Sequence, residues 1–183
     1  MPNYHSARTV AIAPLALSLL LALGCNSKTA ATPENFTQAL NTYFLSHSDC
    51  LLPEAPRFPF ETTDSVKTKQ MDSLAQSQLL TRETEPAIHA SRYTPTAIGA
   101  RYAPRFCYGH REVAQIVSFT PPAQANGFVE TKVTYSYTMK DVPVWAKGAT
   151  VQAAFPAMAE ATTKGGTAGQ TLAQTMAGWQ VPE

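Results

Sequence analysis

Residues 32–183 read as an α+β domain, with helices and a short hairpin first and then an antiparallel sheet carrying one helix. Three observations predict it. Apolar residues recur at helical period in the first part of the span and again near 151–161. Alternating β-branched and aromatic residues fill 113–119 and 128–139. Fourteen prolines among 183 residues keep the elements short and the connections numerous.

The elements follow in order. Thr32-Pro33-Glu34 is a helix start, with a capping hydroxyl, a proline at the first helical position and an acid in the first turn. Phe36, Ala39, Leu40, Tyr43 and Phe44 then form one apolar face, which ends near Ser46 to Asp49. Pro53, Pro56 and Pro59 forbid a helix over 50–60, yet Leu51, Leu52, Phe58 and Phe60 are too apolar for a free loop. That segment is expected to lie extended against the domain. Thr63-Asp64 caps a second helix, with Val66, Met71, Leu74, Ala75 and Leu79 on its inner stripe. The two helices are expected to pack as a pair.

Two extended runs follow, 86–93 and 102–109, separated by Thr94-Pro95-Thr96 and Gly99. A helix, Leu79-Leu80 and then a hairpin loosely resembles the second half of a winged-helix unit, which here implies architecture only. Segment 113–119 is expected to pair antiparallel with 128–139 across a loop at Pro121-Pro122 to Gly127. A stretch over 151–161 that reads as helical except at Pro156, a loop at 164–169 and a final strand within 171–181 complete the domain.

Ahead of the domain, Met1 to Val10 carry Arg8 and no acid, and 11–23 is an apolar run closed by Gly24-Cys25. A basic start, an apolar core and small residues at a cleavage point form the secretory signal pattern, and the run is short of the roughly 20 residues of a spanning helix. Leu21-Ala22-Leu23-Gly24-Cys25 resembles the lipobox of bacterial lipoproteins, with Ala22 where the pattern prefers Leu. The resemblance implies that Cys25 is acylated and becomes the mature N-terminus, and that membrane attachment runs through its lipid. Asn26, rather than Asp, implies sorting to the outer membrane, facing the periplasm. The chain then divides into a removed signal at 1–24, a flexible tether at 25–31 and a compact domain at 32–183. The alternative to one domain is a pair of subunits, 32–110 and 111–183.

Losing residues 1–24 removes Arg8 alone, leaving thirteen basic against thirteen acidic residues. A neutral chain gives no electrostatic footprint for nucleic acid. With Cys25 acylated, Cys50 and Cys107 remain as an even pair, which reads as a disulfide in an oxidising compartment. The mirrored His47-x-x-Cys50 and Cys107-x-x-His110 spacing also suits a zinc site, and the compartment favours the disulfide over it. Neither a Gly-x-Ser-x-Gly elbow nor His-Glu-x-x-His occurs, and Gly165-Gly166-x-x-Gly169 lacks the Lys-Ser/Thr of a phosphate loop. No catalytic residue, metal ligand set or cofactor is assigned.

Arg92, Arg101, Arg105 and Arg111, interleaved with Tyr93, Tyr102, Phe106 and Tyr108, form a candidate binding face for an envelope protein or an anionic ligand. The competing reading is a hairpin whose outward side happens to be basic. The sequence therefore points to a membrane-anchored envelope lipoprotein with a non-enzymatic binding or structural role. Its alternative is an envelope enzyme acting on a glycan or peptide. Intact-mass measurement of the purified chain is expected to show a gain of two hydrogens on reduction of Cys50 and Cys107; alkylatable thiols with bound metal would select the zinc site instead.

Overall fold

Helix α1 (Pro33–Ser46) starts where its capping signals lie. The Thr32 hydroxyl accepts from the Asn35 amide at 3.4 Å, Pro33 occupies the first turn, and Phe36, Leu40 and Phe44 are buried four residues apart. The computed structural model describes residues 28–182; the signal segment and Cys25 lie outside the described residues. Within them the chain is a mixture of helices and two antiparallel sheets.

The first sheet is small. Strand β1 (Phe60–Thr62), helix α2 (Ser65–Gln76), β2 (Leu80–Glu85) and β3 (Ala90–Pro95) follow in sequence, and the strands are ordered β1-β3-β2. Asp64 caps α2 by accepting from the Lys67 amide at 2.8 Å. The hairpin differs from the expected arms at 86–93 and 102–109. Its strands are 80–85 and 90–95, and it turns through Pro86–Ile88, a short 3₁₀ stretch closed by left-handed His89. Strand β2 is almost wholly polar and exposed, so hydrophobic patterning passes over it. Cross-strand partners hold it instead, including Glu85, which pairs with Arg92 of β3 at 3.5 Å.

Residues 96–107 form turns rather than a strand. The Thr96 hydroxyl donates to the Gln78 carbonyl at 2.7 Å and accepts from the Gly99 amide at 2.9 Å. Gly99 is buried so tightly that an added Cβ would run into the Leu79 carbonyl.

The second sheet comprises β4 (His110–Phe119), β5 (Ala123–Ala125), β6 (Phe128–Lys140), β7 (Gly166–Thr175) and β8 (Gly178–Gln180), ordered β4-β6-β7-β8 with β5 beside β6. Strands β4 and β6 pair antiparallel as expected. The expected loop before Phe128 contains β5, turned back by Asn126-Gly127, both at positive φ, as a two-residue hairpin requires. The glycine-rich loop expected at 164–169 is mostly β7. Gly166 and Ala168 lie opposite Tyr137 and Tyr135, so the small residues accommodate large rings. The final strand is a hairpin, turning at Met176-Ala177 between Thr175 and Gly178.

The helix expected over 151–161 is two, α3 (Ala149–Ala154) and α4 (Pro156–Lys164), because Pro156 supplies no amide to continue the first. The expected α1–α2 pair is also absent. The sheet curls so that its two ends, β4 and β8, both meet α1, and Phe36, Leu40 and Phe44 pack with Val113, Val133, Tyr135, Leu172 and Trp179. Helix α2 instead contributes Met71 and Leu74 to a second core with Leu52, Tyr93 and Phe106, joined by Val151, Phe155 and Met158 of the α3–α4 segment. Neither core divides at 110–111, since each draws on both sides of it.

Residues 28–31, expected as part of the tether, are fastened to the sheet. Trp179 Nε1 donates to the Thr29 and Ala30 carbonyls, both at 3.1 Å, and Gln174 Nε2 to Thr29 at 2.7 Å. Gly99→Ala is expected to cost about 3 kcal/mol, as overpacking against fixed backbone does, read as a lower midpoint in urea denaturation.

Candidate functional site

Cys50 and Cys107 are joined by a disulfide with an S–S distance of 2.04 Å. Around it the chain pairs residues 49–52 with 105–109: Asp49 N–H donates to Gly109 at 2.9 Å, Tyr108 N–H to Asp49 at 2.8 Å, and Leu52 N–H to Arg105 at 3.0 Å. Two of the four residues of the candidate zinc set are thereby consumed. His47 stacks on Tyr43 at 3.8 Å between centroids, and His110 Nδ1 lies 3.4 Å from Asp141.

Arg111 is the most constrained of the four candidate binding arginines. Its fork donates to both Asp49 oxygens at 2.9 Å, and Nη1 reaches the Tyr135 hydroxyl at 3.4 Å. The guanidinium carbon sits 4.7 Å from the centre of the Tyr137 ring and 5.7 Å from that of Phe44. Burial alone would lower its pKa, but the hydrogen bonds and charge of Asp49, helped by Tyr135, outweigh it and raise the value above the ordinary. Burial likewise raises the Tyr135 and Tyr108 hydroxyls. Bidentate hydrogen bonding and ring stacking suit Arg and not Lys. This arginine ties the protein to itself rather than to a ligand.

Arg92 lies between Glu61 at 3.0 Å and Glu85 at 3.5 Å; its Nε is close to Glu61 without the alignment of a hydrogen bond. Arg82 pairs with Asp72 at 2.9 Å, whose other oxygen accepts from the Tyr93 hydroxyl at 2.7 Å. Burial and then this carboxylate raise the Tyr93 pKa. Arg101 and Arg105 are exposed and enter no ion pair among the described residues. The four arginines are thus two ion-paired residues, in different sheets, and two solvated ones.

A different place has the shape of a binding site. A half-open cleft of ≈ 320 Å³ runs between α1 and β8. Its α1 wall carries Asn35, Gln38, Thr42 and Ser46, with Tyr43 and the stacked His47 at the far end. The β8 wall carries Trp179 and Gln180, and Lys28 closes the near end. Hydroxyls and amides predominate, with Tyr43 on the α1 side and the largely buried Trp179 beneath the β8 side. Sequence reading singles out only the apolar face of this helix and passes over these positions. A signal is nonetheless there: after Glu34, α1 has no charged residue, and Gln38, Thr42 and Ser46 recur every fourth position. An exposed helix face ordinarily mixes charged with polar residues.

Among the described residues no His, Cys, Asp and Glu cluster has metal-binding geometry. No family model, curated protein or solved structure matches the chain. Arg111→Gln is expected to destabilise the fold by about 2 kcal/mol, between the costs of breaking an exposed and a buried pair, whereas Arg101→Ala and Arg105→Ala should stay within about 0.5 kcal/mol. Chemical denaturation of the three variants checks both statements.

Proposed function

We propose that the protein is a lipid-anchored lipoprotein of the bacterial envelope, on the periplasmic face of the outer membrane, with a binding rather than catalytic role. The observation that carries this reading is a polar cleft, free of carboxylates and with Lys28 as its one cationic side chain, beside the start of the described chain. The four groups with displaced titration support it as well: Tyr93, Tyr135 and Arg111 hydrogen-bond within the domain, and Tyr108 is half-buried beside Asp49 and Arg111. Strongly perturbed groups lining a cleft would favour catalysis instead.

The lining of the cleft suits a neutral, hydroxyl-rich ligand such as a glycan segment. Amides and hydroxyls exchange hydrogen bonds with sugar hydroxyls, and the Tyr43–His47 stack borders them. The exposed Arg101 and Arg105 are a second, smaller surface for an anionic partner. The β1-β3-β2 order and the preceding α2 support a winged-helix-like reading of the first sheet, as architecture. Its Arg82 and Arg92 face acids, not an open basic surface.

Two measurements test the proposal. Expressed as the full chain in a double-membrane bacterium, the protein should be recovered in the membrane fraction with acyl groups on Cys25, and Cys25→Ser should remain unprocessed. Neutral oligosaccharides titrated into the wild type should perturb Trp179 fluorescence, and Gln38→Ala should weaken that response about tenfold, the worth of one ligand hydrogen bond. A flat titration across neutral oligosaccharides would remove the glycan assignment and leave the anchor standing.

A further inference from the structure

We infer that the end of the second sheet bearing the β5–β6 and β7–β8 turns rests on the phospholipid surface, an inference that takes the lipid on Cys25 as given. Register brings both turns to one end. β5 closes on β6 at Ala125 and Phe128, the β6–β7 ladder opens at Glu130 and Ala173, and β7 closes on β8 at Thr175 and Gly178. The described chain begins at this same end. Thr29 and Ala30 are held by Trp179 and Gln174, and a Cβ on Gly178 would lie 3.1 Å from the Lys28 carbonyl oxygen.

The distance to the lipid is short. Only Asn26 and Ser27 separate Lys28 from Cys25, and three residues of extended chain reach at most about 11 Å. The headgroup layer on each side of a bilayer takes up roughly 5–8 Å of that. Lys28 therefore stands within several ångströms of the membrane surface, and the turns beside it cannot be held far away.

Those turns carry apolar tips. Met176 is fully exposed, at 105% of its reference area, and Phe128 is exposed at 52%. Single exposed hydrophobics are ordinary on a soluble surface. Their position decides here, because both occupy the end nearest the acyl chains. An apolar side chain that dips into the headgroup boundary leaves water and adds to the hold of the lipid. Among the described residues this end carries Glu130, which accepts from Asn126 at 3.2 Å, and the exposed Lys28 and Lys132, so the charges are few and of both signs and a zwitterionic surface suffices.

The test uses the full, lipidated chain in phosphatidylethanolamine-containing vesicles. Met176→Cys and Leu45→Cys each introduce a single free thiol for a nitroxide label; Leu45 is exposed at 71%, in the last turn of α1 near the opposite end of the sheet. On vesicles the label at 176 should lose collisions with a water-soluble nickel relaxant and gain them with oxygen, while the label at 45 stays as in detergent-free solution. Equal nickel accessibility at both positions, with acyl groups on Cys25 verified by mass, overturns the orientation and leaves the anchor. A recovered chain without acyl groups on Cys25 overturns both.

Discussion

Arg111 has to satisfy several groups at once, and the geometry of the molecule follows from how it does so. Its fork takes both oxygens of Asp49, which stands next to Cys50, and its third donor reaches Tyr135, which is fully buried in the core under α1. Asp49 also exchanges backbone hydrogen bonds with the 108–109 segment. The exit of α1, the disulfide and the first residues of β4 are therefore fixed to one another. That junction is where two separate cores meet. Leu52 and Phe106 on one side belong to the core of α2, and Phe44 and Tyr135 on the other belong to the core of α1. A half-buried ion pair is a poor source of net stability but a strict specifier of geometry.

The cores are interlocked by chain order as well. Helix α1 precedes α2 in sequence yet packs in the later sheet, and α3 and α4 follow most of that sheet yet return to the earlier core. Closing a loop of 57 residues by the disulfide removes about 4 kcal/mol of chain entropy from the unfolded state in the loop-entropy account. In a chain whose long-range contacts must bring α1 to β4 and β8, that restriction acts where closure costs most.

Legibility in the sequence tracks how local the deciding interaction is. Helix α1 could be read because cap, proline and apolar period coincide within fourteen residues. Strands β4 and β6 were legible from alternation, and the cysteine pair from parity once Cys25 is set aside as the expected acylation site. Strand β2 was not, since its stability lies in partners across the hairpin, including Arg92 of β3, which pairs with Glu85. Strand β7 was not, since a run of small residues becomes a strand only beside Tyr135 and Tyr137. Arg111 looks like any surface arginine until Asp49, 62 residues earlier, is brought to it. The cleft fell between these cases: its polar stripe on α1 is visible in sequence, but the wall that makes it a cleft comes from β8.

The fastening of residues 28–31 to Trp179 and Gln174 has a mechanical consequence. A lipoprotein with a long linker can sweep a hemisphere and catch partners at a distance. Under the proposed lipid on Cys25, only Asn26 and Ser27 would separate that fastened segment from the anchor, and the body would slide in two dimensions and spin about the membrane normal, and do little else. Encounter then belongs to whatever reaches the bilayer surface, and a cleft opening beside the anchoring end meets it in a nearly constant orientation. On that proposal the protein would act as a fixed receptor on the membrane floor, with selectivity by height added to selectivity by chemistry.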